Sequence, residues 1–234
     1  MATENGWGAR KIQAERWKLD IRVGIATVSR YLSKTRSDPG RQQRWFTFFR
    51  NHREAITAMD FFVVPTVRFR LLYVWFAIDH GRREILHFNV TASPFARWVI
   101  QQLREAFSDE RTHRFLIDDN DSIFSPAVTH AIESFGMEPK RTVFRSSGQN
   151  GTAERAVGSI RRELLDHVVV LGEAHLRRLL REYVDYSNAE RVHTSIADAS
   201  MGRPVESRPS QHAEVIGTPR VGRLHDRRRW RDAA

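Results

Sequence analysis

The stretch from Phe144 to His167 reads FRSSGQNGTAERAVGSIRRELLDH. Its opening, Ser146-Ser147-Gly148-Gln149-Asn150-Gly151, is a run of turn formers. Apolar residues at helical spacing follow: Ala153, Val157, Ile160, Leu164 and Val168. A loop therefore feeds an amphipathic helix. Glu154 stands one position off the apolar stripe in the first turn, with Gly158 and Arg161 one and two turns further on. The helix dipole alone favours an acid there, and for an isolated glutamate that would be explanation enough. What this one does depends on which residues elsewhere can join it.

Working outward, the whole chain of 234 residues carries 38 Lys+Arg against 28 Asp+Glu, a net charge of +10, with 41% hydrophobic residues. That describes a folded protein with a polyanionic partner, of which nucleic acid is the commonest. The absence of cysteine excludes disulfide scaffolds, cysteine-ligated zinc and thiol nucleophiles. No apolar run reaches the roughly 18 residues of a membrane span, and residues 1 to 20 lack the order of a signal peptide, so the expected location is cytoplasmic.

Upstream of the helix, ITAMDFFVV, RLLYVWFAID and REILHFNVT are three β-branched and aromatic runs with short breaks, read as an antiparallel meander. Ser93-Pro94 opens a helix ending near Ser108, and His113 to Ile117 is a short strand stopping at Asp118-Asp119-Asn120-Asp121-Ser122. A helix from Pro126 to Phe135 and a strand from Lys140 to Phe144 complete the run. Strands and helices in that order make a mixed α/β layer sandwich. Downstream, Glu173 to about Ser187 is an amphipathic helix.

Four segments follow from this reading. Residues 1–36 form a partial helix-turn-helix-like segment with Thr27 as a cap and Arg30 and Lys34 free to face DNA, a plain helical hairpin being the alternative. Residues 37–55 are a basic-aromatic linker, 56–196 the α/β core, and 197–234 a basic, partly disordered tail.

Three acids stand out. Asp60 lies inside an apolar strand, where an unpaired carboxylate costs several kcal/mol. Asp119 ends the fourth strand, where open α/β sheets place their ligand sites. Glu154 opens the helix. If the first and fourth strands are neighbours, all three converge.

The order Asp60, Asp119, Glu154 resembles the DDE catalytic core of bacterial insertion-sequence transposases and retroviral integrases. MDFFVVPT is similar to that family's first acidic strand and DDNDSIF to its second acidic turn, aligned so that Asp119 rather than Asp118 is the ligand. QNGTAERAVGSIRRELLDH resembles the third block, and YSNAERVHTSI the closing Tyr-Asn-Arg-His segment. The resemblance implies an RNase H-like fold and a pair of Mg²⁺ or Mn²⁺ ions held by Asp60, Asp119 and Glu154. It also implies metal-dependent cutting and joining of mobile-element DNA ends, homo-oligomers assembled on DNA, and a bacterial, nucleoid-associated setting. Arg155, Arg161 and Arg162 are expected at DNA phosphates or in ion pairs with Glu163 or Asp166. Two rival readings are an RNase H-like nuclease without joining and an inactive DNA-binding remnant. An EF-hand is excluded by the missing turn glycine, and a zinc protease by the absence of HExxH.

Overall fold

The computed structural model describes residues 9–35, 39–108, 113–119, 123–142 and 150–232, with the backbone alone of 32–35 and 39–42. The chain forms two compact units, 1–50 and 51–234.

In the first unit, helices α1 (Ala9–Lys18) and α2 (Ile25–Thr35) pack through Ile12 and Val28, which are buried while most of their neighbours are exposed. Gln13 Nε2 donates to the Val23 carbonyl at 3.1 Å and Asp20 takes a left-handed backbone (φ 57°), which closes the turn between them. Helix α2 starts at Ile25, ahead of Thr27, because the Gly24 carbonyl already accepts from Thr27 and Val28. Arg30 is exposed on α2, whereas the side chain of Lys34 lies outside the described residues. The expected linker is mostly a helix, α3 (Pro39–His52), with Trp45, Phe48 and Phe49 clustered along it.

The second unit holds a five-stranded sheet in the order β3-β2-β1-β4-β5: β1 (Ile56–Pro65), β2 (Leu71–Asp79), β3 (Ile85–Thr91), β4 (Phe115–Asp118) and β5 (Glu138–Arg141). The first three strands are an antiparallel meander and β4 and β5 run parallel to β1. The crossovers are α4 (Ala96–Ala106) and α5 (Pro126–Ser134). Helix α4 begins after Phe95 rather than at Pro94.

Alternation along β1 splits its side chains between two cores. Met59, with Trp75, Ala77, Val99, Leu103, Leu116, Val128 and Ile132, forms a core under α4 and α5. Ala58 and Phe62 face the other way. On that side lie α6 (Gly151–Glu163), which packs on β1 and β2, and α7 (Glu173–Ala189), which packs on β3. Helix α6 stops at Glu163, so Val168 is off its stripe, while Ala153, Ile160 and Leu164 are buried as their spacing predicts.

The 197–234 segment, expected to be partly disordered, carries an antiparallel hairpin of β6 (Glu214–Arg220) and β7 (His225–Arg231). Two of its arginines, Arg220 and Arg227, reach Glu190, and His225 stacks on Tyr186 at 4.7 Å.

Candidate active site

Parallel strands β1 and β4 pair Ile56 with Phe115, Thr57 with Leu116 and Ala58 with Ile117. Continued two residues, that register sets Asp119 opposite Asp60, and strand alternation turns both toward the α6 side. Asp118 falls on the other parity, with Met59 and Leu116, and is buried. Burial pushes its carboxyl up to about 7, against the Arg141 guanidinium 3.9 Å away and with a smaller upward push from Asp119. The continued register thus puts Asp118 on the core face and Asp119 on the side of α6. Asp60 is half-buried, and its Oδ1 accepts the Phe61 N–H at 2.7 Å.

Helix α6 is fastened to the same strand at two points. Buried Asn150, just before the helix, donates from Nδ2 to the Met59 carbonyl at 3.1 Å, and Arg161 donates to the Val63 carbonyl at 3.4 Å. Both contacts lie beyond Ala58, the last β1 position paired with β4. At 100° per residue, Asn150, Glu154 and Arg161 share one flank of the helix. Glu154 therefore lies on the flank that runs beside the β1 segment carrying Asp60, exposed and with its N–H bonded to the Asn150 carbonyl.

The fold thus brings the three acid-bearing segments to one side of one strand pair. Among the described residues, no three His, Asp or Glu side chains are gathered closely enough to hold an ion. Residues 120–122 and 143–149, which adjoin Asp119 and Asn150 and include most of the Gly/Ser turn, lie outside the described residues. The donor set itself suits a hard divalent cation: three carboxylates and no sulfur.

The far end of α6 is locked by a pair different from the one expected. Glu163 binds Arg191 at 2.6 and 2.9 Å and accepts the Tyr183 hydroxyl at 2.9 Å. Arg191 belongs to the closing segment, and His193 beside it contacts the Ser187 carbonyl and Ser200 Oγ, both at 3.1 Å. Burial works against the charge of Glu163, but the Arg191 and Tyr183 hydrogen bonds outweigh it and hold the carboxyl below its usual 4.5. A depressed carboxylate pKa stabilises the fold above the unfolded value and loses that contribution as pH falls through the folded one. Glu163→Gln is therefore expected to cost about 2 kcal/mol at pH 7 and to flatten the loss of stability below pH 4.5. Urea denaturation across pH 3 to 7 measures both.

Arg155 does not join Arg161. It faces a cavity on another side of α6, and Arg161 and Arg162 remain on the exposed surface. Sequence reasoning missed Asn150 and the Glu163–Arg191 pair. The signal for Asn150 was a lone Asn just before a helix, which local capping also explains. It makes no side-chain cap here.

Residues 135–200 match the family described as the integrase core domain. Proteins similar to this chain include the putative transposase InsD of insertion element IS2E from Escherichia coli strain K12, 32% identical over 102 residues, which are 40% of this chain and 47% of that protein. A second is the Escherichia coli transposase InsD of IS2A/D/F/H/I/K, with the same identity over 34% of its length. The chain thus spans less than half the length of the curated relatives it matches. Among solved structures, the core resembles a chain of the simian T-cell lymphotropic virus intasome complex (TM-score 0.54, 14% identity, 76% of this chain and 66% of that one). It also resembles the Mos1 transposase catalytic domain solved with Raltegravir and Mg (TM-score 0.52, 14% identity, 61% and 78%). The fold is the RNase H-like fold of integrase and transposase catalytic cores.

Proposed function

We propose that this chain is the catalytic portion of a DNA transposase of the integrase type, cleaving mobile-element ends and joining them to target DNA. The observation that carries this reading is the β1–β4 register. Continued two residues beyond Ala58–Ile117, that register would put Asp119 opposite Asp60, on the side where α6 carries Glu154. The matched integrase core domain and relatives named transposases support the same chemistry.

Asp60, Asp119 and Glu154 are the residues that would hold divalent metal, Mg²⁺ or Mn²⁺, as two ions. Related folds solved with Mg and with Mn point to the same metals. Such ions, when bound, would supply activation of a water or a 3′-hydroxyl and charge stabilisation of the leaving oxygen. The chain's own part is positioning. Asn150 and Arg161 hold the Glu154 flank against β1, and the Glu163–Arg191 pair holds the distal end of the helix. Arg161 and Arg162, exposed on α6, supply phosphate contacts, while Arg155 faces the cavity on another side of the helix. In the first unit, Arg30 and Lys34 contact DNA. Pairing two ends requires a homo-oligomer assembled on DNA, and the similar viral chain comes from an intasome.

The test is incubation with duplexes from the DNA flanking the coding gene, supplied pre-cut and uncut, with Mn²⁺. Joined products from the pre-cut duplex are expected. Shortened strands without joined products would indicate a hydrolytic nuclease, and DNA retention without either product a binding remnant.

A further inference from the structure

On the flank of α6 turned away from Glu154, a cavity of about 410 Å³ opens between that helix, the turn after β2 and the segment after α7. Thr152 and Ser159 line it from α6, with Arg155 at the edge of the same flank. Arg83 enters from the β2–β3 turn, and Arg191 and Ser195 from the closing segment. The floor is apolar, including Ile78 and Ile160.

Positive charge is in excess here. Arg191 is matched by Glu163. Arg83 instead donates to Ser195 Oγ at 3.2 Å and to Thr152 Oγ1, and among the described residues neither Arg83 nor Arg155 forms an ion pair with a carboxylate. Asp79, the acid that acts on Arg83, is itself held by His113 at 2.8 Å and by the Arg82 N–H at 2.6 Å. Burial and the charges of Arg155 and Arg53 push the Arg83 guanidinium down to about 10. Burial, Arg83, Arg53 and Arg155 push the neighbouring His80 imidazole down to about 4. His80 Nδ1 lies 2.9 Å from Thr152 Oγ1.

We infer that this cavity binds a phosphate ester, with Arg83 and Arg155 on the phosphoryl oxygens, Ser159 and Ser195 as hydroxyl partners, Thr152 holding Arg83 in place, and the apolar floor under the esterified group. Forked guanidiniums match tetrahedral oxyanions bidentately, and the hydroxyls supply further donors to the remaining oxygens. The volume is within the range of small-ligand sites and leaves room for more than a bare anion. The site stands apart from the proposed strand transfer, since it lies on the other flank of α6 and its test contains neither metal nor DNA ends.

Thermal unfolding of the full chain in potassium phosphate and in a 5′-phosphorylated dinucleotide, each against potassium chloride at equal ionic strength, reads the site directly. At about ten times Kd the melting temperature is expected to rise by roughly 3–6 °C over chloride. Ser195→Asp, at an exposed position, places a carboxylate beside Arg83 and should abolish the rise without lowering the melting temperature in chloride. Arg83→Gln should abolish it as well; if that variant does not fold, Ser195→Asp decides. A larger rise with the dinucleotide assigns the ester, and a larger rise with inorganic phosphate assigns the free anion to the same cavity. No rise beyond chloride in either, or a rise retained in Ser195→Asp, overturns the inference.

Discussion

Replacing Asp60 by Asn, or Glu154 by Gln, is expected to lower Mn²⁺-dependent cleavage and joining by about three orders of magnitude. Either change removes several kcal/mol of charge stabilisation, at about one tenfold step in rate per 1.36 kcal/mol. Both changes keep side-chain volume and remove only charge, so the sheet should stand, and salt-sensitive DNA binding should persist because the arginines are untouched. Asp119→Asn belongs in the same set. Asp118→Asn is the control that separates the two adjacent acids: Asp118 faces the core beneath α4 and α5, so its loss should leave turnover within about tenfold. Gel-resolved product formation, with circular dichroism to confirm folding, decides the matter. Unchanged cleavage in Asp60→Asn would remove the proposed reaction centre.

The second large effect is expected at a residue that touches no substrate. Asn150→Ala deletes the hydrogen bond to the Met59 carbonyl, one residue before Asp60 on the strand. The backbone N–H of Glu154 bonds to the carbonyl of the same asparagine, so Asn150 links the strand acid to the helix acid through one side chain and one peptide. Loss of the link lets the helix start drift, and a misplacement of about 1 Å can cost about 10²-fold in rate. The loss should appear in kcat, with KM for DNA nearly unchanged, and a stability cost of about 1–3 kcal/mol is expected from the buried carbonyl left without its donor. An equal loss of binding and turnover would mean that Asn150 supports the fold generally.

Much of this arrangement was legible before any coordinates. Apolar alternation in ITAMDFFVV and its two successors gave the meander, and the acid stranded among Met59, Phe61 and Phe62 marked the strand that matters. The neighbouring positions of β1 and β4 follow from ordinary open-sheet topology. Register was not legible: the resemblance picks Asp119 by alignment, but the spacing in DDNDSIF does not say which aspartate shares a face with Asp60, and the pairing of Ala58 with Ile117, continued two residues, favours Asp119. Long-range partners were likewise hidden. Glu163 has arginines at 161 and 162 close by in sequence, yet it binds Arg191, which comes back from beyond α7. The sequence carries no periodic signal for such a pair.

The C-terminal hairpin was misjudged for a related reason. An Arg-rich run reads as a solvated tail when its counter-charges are distant, and those of β6 and β7 sit on the end of α7. Composition weighs the charges of a segment; it cannot see which acids elsewhere are waiting for them.

Glu190 gives that hairpin a further meaning. Its side chain is only 10% exposed, and Arg220 and Arg227, one from each ribbon strand, are its cations, while His225 bonds the Glu163 carbonyl at the close of α6. Peeling the ribbon away would strand a shielded anion and disturb the helix end at the same moment. Unfolding of the ribbon and of the sheet layer is thereby tied into a single cooperative event.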